Sequence, residues 1–258
     1  MAADSFFRLL YEATGVTSGA YGPLAALFAL HADSVMFWLS SWRVMWCWFY
    51  LPTRLPPSYN RWILALARMD PGLLELLRFI RSGDYVYGTQ PSAKVADLCA
   101  GIAATMGKAP ELVNPAGIPR LDCDFVHGAY SGACEVHSAK RWVYAFLDAL
   151  KIYLPVHFAP QLLFNLRALT RAPGETVLYT LLAAGRSSTF LATFVASIYA
   201  SVCLVRTRIP KLFPKVEPAV WDNGLCAGLG CMVCGLSILI ESKRRRREMS
   251  LFVTTRAL

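Results

Sequence analysis

The sequence TFLATFVASIYASVCLV, residues 189–205, contains no charged residue and is apolar over most of its length. A second stretch without charge, NGLCAGLGCMVCGLSILI, occupies residues 223–240. A helix that crosses the hydrocarbon core of a membrane needs about 20 mainly apolar residues, so each stretch predicts a membrane-spanning helix. The fold class that they predict is all-α, a multi-span integral membrane helical bundle with amphipathic interfacial helices.

The composition of the whole chain favours the same class. Of the 258 residues, 55% are hydrophobic and 17% are charged, whereas about 25% of the residues of soluble domains are charged. The mean hydropathy is +0.41. A soluble domain of this length would need an unusually large core to bury 7 Trp, 11 Tyr and 14 Phe. The composition therefore predicts residence in a membrane.

Small residues recur at helical spacing in both charge-free stretches. They are Ala192, Ala196 and Ala200 in the first stretch, and Gly224, Gly228 and Gly235 in the second. Rows of small residues let membrane helices approach closely where no hydrophobic driving force acts between them. We expect the two helices to pack on each other or on a second copy of the chain.

The segment before these stretches is apolar but interrupted. In residues 141–169, Asp148 breaks the apolar pattern, and Pro155 and Pro160 predict two helices that meet at a kink. An interface-lying or re-entrant position fits this segment better than a simple span. Arg186 precedes the first charge-free stretch, and we expect Arg186 and Asp148 to be polar groups within the membrane that pair or reach the interface.

The N-terminal half predicts further helices. Residues 21–51 carry an aromatic row at i,i+4 spacing that suits a membrane edge, namely Trp38, Trp42, Trp46 and Tyr50. Residues 61–83 read as two amphipathic helices separated at Asp70, Pro71 and Gly72, and residues 96–106 as a short helix. The predicted regions are an aromatic-rich helical region at 1–118, a Cys/His-containing connector at 119–138 and a C-terminal membrane-spanning helical region at 139–258.

The connector holds four candidate metal ligands within a short polar segment, Cys123, His127, Cys134 and His137. Zinc prefers four nitrogen or sulfur ligands in a tetrahedron, and these residue types and gaps permit such a site. A disulfide between Cys123 and Cys134, or a turn with neither metal nor disulfide, fits the pattern as well. The remaining cysteines lie in apolar surroundings, where Cys usually behaves as a small hydrophobe: Cys47, Cys99, Cys203, Cys226, Cys231 and Cys234.

A basic run follows the second charge-free stretch and Glu241. It consists of Lys243, Arg244, Arg245, Arg246 and Arg247. Bases beside a span favour anionic lipid headgroups, so Glu241 and the run are predicted to anchor the chain at the membrane edge, with the lipid bilayer as partner. Nucleic acid is not expected as a partner, because no basic face with interleaved aromatic residues accompanies the run.

Four segments in order support a resemblance to a known family: DCDFVHGAYSGACEVHSAKRW, LKIYLPVHFAPQLLF, GRSSTFLATF and GLSILIESKRRRREMSLFVTTRAL. Over residues 121–258 the chain resembles the Cys-rich N-terminal domain of the transmembrane protein 135 family, and an earlier segment resembles fungal members. The resemblance implies a multi-span protein of peroxisomal or mitochondrial membranes, distantly similar to small peroxisomal membrane proteins and to mitochondrial protein-translocase channels. It brings no catalytic residues.

The expected function is therefore that of a non-enzymatic integral membrane protein in organelle membrane organisation, division or lipid homeostasis. A membrane carrier or channel for a small solute or lipid is the alternative, and a lipid enzyme that uses the Cys/His-containing connector is a third class. A homo-oligomer or other membrane proteins are expected as partners.

Overall fold

The computed structural model describes residues 22–127 and 133–257, in which all regular secondary structure is helical. The all-α prediction is confirmed for these residues. The helices of nine or more residues are α1 (Gly22–Tyr50), α2 (Pro57–Ala67), α3 (Pro71–Ser82), α4 (Ala93–Met106), α5 (Cys134–Phe164), α6 (Pro173–Thr207), α7 (Cys226–Cys234) and α8 (Lys243–Ala257). Shorter α-helices are Cys123–His127, Leu166–Arg171, Ile209–Leu212 and Pro218–Val220, and short segments of other helix types are Pro52–Arg54, Pro110–Leu112, Trp221–Leu225 and Gly235–Ile240.

The break between α2 and α3 falls where the sequence predicts it. The Oδ1 atom of Asp70 accepts hydrogen bonds from the backbone N–H groups of Gly72 at 2.8 Å and Leu73 at 3.1 Å. Pro71 occupies the first helical position, where its missing N–H costs nothing. Gly83 ends α3 at φ 87°, in the left-handed region that favours glycine.

Helix α5 differs from its prediction. It continues as one helix from Cys134 to Phe164 through both Pro155 and Pro160, so the prediction of two helices is wrong. Both prolines lie on the exposed side of α5. Along its opposite side α5 packs antiparallel to α6, and Trp142 donates a hydrogen bond to Thr193 at 3.1 Å. This packing keeps the helix continuous where two backbone hydrogen bonds are lost.

Two segments in the described ranges, Pro173–Leu212 and Trp221–Ile240, are long and apolar enough to cross a membrane by length and composition. They contain the two charge-free stretches. About half of each segment is buried against the rest of the protein. Helix α6 lies between α5 and α7, while α1 contacts both α7 and α8.

The main apolar core joins helices from both halves of the described residues. It includes Trp48 from α1, Leu76 from α3, Phe125 from the Cys123–His127 helix, Cys231 from α7 and Ala257 at the end of α8. The packing therefore crosses both boundaries, near residues 118 and 138, that the sequence suggests between regions.

The glycine row of the second apolar segment packs against α1. A Cβ atom on Gly228 would lie 3.2 Å from the Trp46 ring, and one on Gly235 would lie 3.0 Å from the Cα atom of Trp38. Gly224 also faces Trp46, but it adopts φ 89° in the irregular turn Trp221–Leu225 that precedes α7. The aromatic row of α1 thus covers this glycine row inside the protein.

Helices α6 and α7 also pack against each other, and their close approach is at Gly230. A Cβ atom there would lie 3.2 Å from the backbone oxygen of Ile198. The alanine row of α6 is divided: Ala192 and Ala196 are buried, with Ala192 packed towards α5, whereas Ala200 is exposed.

Candidate metal centre

Three helix ends bring four ligand atoms together. Cys123 and His127 lie four residues apart on one short helix, a spacing that puts both side chains on one face. Cys134 is the first residue of α5, and Cys203 lies in the last turns of α6. Because α5 and α6 are antiparallel, these two cysteines meet at the same end of the pair. We call these four residues the Cys/His cluster.

All four ligand atoms of the Cys/His cluster lie within 4.8 Å of one another. The Cys123 sulfur is 3.7 Å from the Cys134 sulfur and 4.0 Å from the Cys203 sulfur, and the Cys203 sulfur is 3.4 Å from Nε2 of His127. Metal distances of about 2.3 Å to sulfur and 2.0–2.1 Å to nitrogen in a tetrahedron require ~3.8 Å between sulfurs and ~3.5 Å between sulfur and nitrogen. The cluster could hold a metal ion.

The thiols of the cluster are free. All eight cysteines of the chain lie in the described ranges, and none of them is in a disulfide. Cys203 and His127 are buried, while Cys123 and Cys134 are half-buried. A disulfide between Cys123 and Cys134 would leave a third thiol and an imidazole facing the same point. A metal ion would use all four groups.

The electrostatics of the cluster favour a thiolate at Cys123. Its hydrogen bond with Cys203 is the largest influence and lowers the pKa of Cys123 to about 6, against the opposing effect of burial. Burial is the largest cause that raises the pKa of Cys134 above its ordinary value. One of the two thiols at the surface end of the cluster is therefore ready to ligate a cation at neutral pH.

His137 lies beside the cluster and not in it. Its ring stacks on that of His127, with 4.2 Å between centroids and 11° between planes, and it meets Tyr199 edge to face at 5.5 Å. His137 is fully buried at 0% exposure. Three of the four predicted ligands, Cys123, His127 and Cys134, thus lie in the cluster. The fourth member is Cys203 and not His137.

Buried Arg141 connects the cluster to α2. Its guanidinium donates to the backbone oxygens of Ala67 at 2.6 Å and Arg68 at 2.9 Å, at the C-terminal end of α2. It also donates to the backbone oxygen of His127 at 3.4 Å and lies 4.0 Å above the Tyr199 ring. Arg141 therefore fixes the turn that carries one ligand.

A buried ionic network lies one helical turn beyond Cys203. The Asp222 carboxylate accepts hydrogen bonds from Arg206 at 2.5 Å, from Arg120 at 3.2 Å and from the Tyr87 hydroxyl at 2.8 Å. Arg206 also donates to the backbone oxygen of Leu121 at 2.6 Å. The network holds the start of the connector against the end of α6 and the turn before α7.

Sequence reasoning missed Cys203 and the network around Asp222. Cys203 stands in an apolar helix among other small residues, which is also the pattern of a cysteine that only fills space. Its role depends on partners 80 residues earlier in the chain. No local spacing could have identified it.

The two residues expected as polar groups within the membrane have other surroundings. Arg186 is exposed on α6. Asp148 accepts two hydrogen bonds from Arg68, at 2.9 and 2.6 Å, and one from Lys151 at 3.1 Å. Burial raises the pKa of Asp148, but hydrogen bonds from Lys151 and Arg68 outweigh it and hold the pKa below its ordinary value.

The basic run forms the first turns of α8, directly after Glu241. Lys243, Arg244 and Arg247 are exposed. Arg246 turns back to donate to the backbone oxygens of Leu239 at 2.6 Å and Glu241 at 2.7 Å. Those contacts satisfy carbonyl groups where the preceding helical segment Gly235–Ile240 ends. Glu241 itself is buried, and α8 lies along α1.

Comparison of the chain with protein-family models, with curated proteins and with solved structures found no match. The resemblance to the transmembrane protein 135 family therefore stays a prediction from the four segments quoted above. Functional inference depends on the geometry of the Cys/His cluster and on the exposed surface.

Proposed function

We propose that the chain is a non-enzymatic integral membrane protein in which the Cys/His cluster binds one structural zinc ion. The observation that carries this proposal is the convergence of three sulfurs and one imidazole nitrogen within 4.8 Å. Three cysteines and one histidine complete a tetrahedron, so no coordination position is left for a substrate or a catalytic water. A closed site of this kind stabilises a fold and does not perform chemistry.

The zinc ion would connect the Cys123–His127 helix, which has few other contacts with α5 and α6, to that helix pair. The Cys123–His127 helix, the first residue of α5 and the end of α6 each supply ligands. Since an assembled site does not exist in the unfolded chain, zinc binding adds directly to folding free energy. The ion would hold the connector closed over one end of the α5–α6 pair.

The opposite end of the α5–α6 pair supports membrane insertion. Large apolar side chains are exposed around it: Leu162, Leu163, Phe164, Leu166, Leu178, Tyr179 and Leu182. Leu163 and Phe164 are 74% and 81% exposed. Large apolar side chains exposed together in this way are typical of a membrane or protein contact. We place this end in lipid and the Cys/His cluster near the aqueous interface.

The organelle is proposed from the resemblance of the sequence. We propose a peroxisomal or mitochondrial membrane, and a role in membrane organisation, division or lipid homeostasis, with the bilayer and a second copy or other membrane proteins as partners. Alkaline carbonate extraction of purified organelles tests the membrane assignment. Retention in the pellet of one organelle is expected, and release into the supernatant would refute it.

Metal analysis tests the structural zinc ion. The full chain, purified without chelators, is expected to carry about one zinc ion per polypeptide by plasma mass spectrometry. Cys203→Ala should lose the ion, whereas the matched variant Cys99→Ala, which alters a buried cysteine outside the cluster, should keep it. Zinc-free wild-type protein, or a full complement in Cys203→Ala, would overturn the assignment.

The carrier or channel alternative is favoured by one observation, an apolar cavity between the helices. The lining of that cavity suits a lipid and not a small polar solute. Flux of labelled fatty acid, compared with a labelled sugar, across liposomes that contain the protein separates this alternative from a purely structural role.

A further inference from the structure

A cavity of about 550 Å³ lies between α1, α2, α3, α6 and α8. Its walls are mostly aromatic and aliphatic, and the deeper residues include Trp48, Phe49, Leu73, Phe190, Phe194 and Ile198. Cavities of roughly 300–1,000 Å³ with apolar walls and a few placed polar groups are typical of small-molecule sites. The size is therefore that of a ligand site.

The cavity is long. Lining residues on α6 extend from Phe190 to Arg206, and at a rise of 1.5 Å per residue this segment is about 24 Å long. A cavity that is long and has mostly apolar walls suits an extended hydrocarbon chain.

A guanidinium lies at the α8 end of the cavity. The Nε atom of Arg245 is buried and has no hydrogen-bond partner among the described residues. Its Nη1 atom forms an ion pair with the carboxylate of Glu248 at 3.9 Å, a distance too long for a hydrogen bond, and the side chain as a whole is 27% exposed. A buried donor of this kind normally has a partner, which points to a ligand that supplies an acceptor.

The charge around Arg245 favours an anionic acceptor. Residues 243–247 carry five positive charges, and the neighbouring acids are Glu241 and Glu248, which leaves a net charge of +3. Hydrogen bonds between a guanidinium and a carboxylate are stronger than those between neutral groups. At the far end of the cavity, Arg206 and Asp222 already satisfy each other, so they do not compete for the same head group.

We infer that the cavity binds a single-chain anionic amphiphile, a long-chain fatty acid, with its carboxylate on Arg245 and its chain along α6 towards the buried hydroxyl of Tyr50. The exposed apolar lining residues, Trp62, Val156 and Phe252, come from α2, α5 and α8 and mark the opening, together with exposed Glu248. This site is separate from the Cys/His cluster and goes beyond the proposed function.

Binding of tritiated palmitate tests the inference. The full chain is placed in nanodiscs of neutral phosphatidylcholine, and saturable binding is followed by scintillation proximity. Palmitate should bind, and cholesterol should not compete. Hexadecanol has the same chain without the charge, and it should compete at least about ten-fold more weakly than unlabelled palmitate. Absence of saturable binding, or equal competition by hexadecanol or cholesterol, would overturn the inference.

Matched variants locate the site. Arg245→Gln should weaken palmitate binding about ten-fold or more and leave hexadecanol binding unchanged. Arg244→Gln changes a neighbouring base that is 91% exposed and should stay within about two-fold of wild type. Val195→Phe, which fills the middle of the cavity, should abolish binding of both compounds.

Zinc content is measured on the same preparations, and carbonate resistance on organelle membranes that carry the same variants. A wild-type unfolding midpoint by circular dichroism shows that Val195→Phe is folded, and palmitate binding by this folded variant would contradict the assigned cavity. If zinc or membrane retention fails in the wild type while palmitate binding holds, the proposed function fails and the ligand site stands. The two proposals are therefore tested independently.

Discussion

Replacing Asp222 by Asn should destabilise the protein strongly, because Asp222 is the acid at the centre of a buried network of bases. Its side chain is 0% exposed and accepts from Arg206, which is 5% exposed, and from Arg120, which is 19% exposed. The substitution preserves the size of the side chain and removes its negative charge. Two guanidinium groups would then face each other with no counter-charge.

The expected loss follows from this burial. Removing one partner of a buried ion pair costs about 3–5 kcal/mol, because the remaining charge is left uncompensated. For a chain of this length each kcal/mol corresponds to a shift of about 2–4 °C in the unfolding midpoint. We therefore expect Asp222→Asn to lower the midpoint by about 6–20 °C, measured by circular dichroism in a mild detergent.

Asp148→Asn is the matched control. Asp148 is 23% exposed and pairs with Arg68, which is 40% exposed. Solvent-accessible pairs contribute about 1 kcal/mol or less, so the midpoint should fall by only a few degrees. Adding Arg206→Met to Asp222→Asn should recover part of the loss, since it removes the buried unpaired charge. Equal effects of the two Asp→Asn variants would refute the reasoning.

Two further predictions concern helix packing and the second layer of the metal site. Gly235→Ala should lower the free energy of unfolding by about 1–3 kcal/mol, because the added methyl would lie 2.8 Å from the Trp38 ring. The control is Gly101→Ala, which has no atom within 4 Å of the added methyl and should be neutral or stabilising by about 1 kcal/mol. Thermal unfolding midpoints compare the two variants, and similar shifts would contradict the packing of Gly235 on α1. His137→Ala should still bind zinc, with affinity weakened by about 10–100-fold, whereas His127→Ala should lose the ion. Competition with a fluorescent chelator measures both affinities. Loss of zinc from both variants would make His137 a ligand.

Several features of this protein could be predicted from local sequence. The charge-free stretches 189–205 and 223–240 predict apolar helices because backbone groups in such segments must bond internally. The first stretch is helical throughout, and the second is helical after the irregular turn at Asn223 and Gly224. Asp70 and the proline after it predict the start of α3, since a capping carboxylate acts within three residues. Apolar length and capping are local properties, so neighbouring residues suffice to define them.

Prediction failed where a property depended on distant packing. Two prolines predict a break in residues 141–169, but packing against α6 keeps α5 continuous. The connector supplies three ligands of the Cys/His cluster. The antiparallel packing of α5 and α6 brings the fourth, Cys203, to the same place.

The metal-ligating residue types of the connector and the positions of the apolar helices thus follow from the sequence itself. Only the tertiary structure decided that His137 stacks on His127, that Asp222 forms ion pairs with two arginines, and that a long cavity ends at Arg245. The physical reason is distance along the chain. Helix formation and capping depend on contacts within a few residues, whereas a metal site, a buried ion network and a cavity depend on which helix faces meet in space.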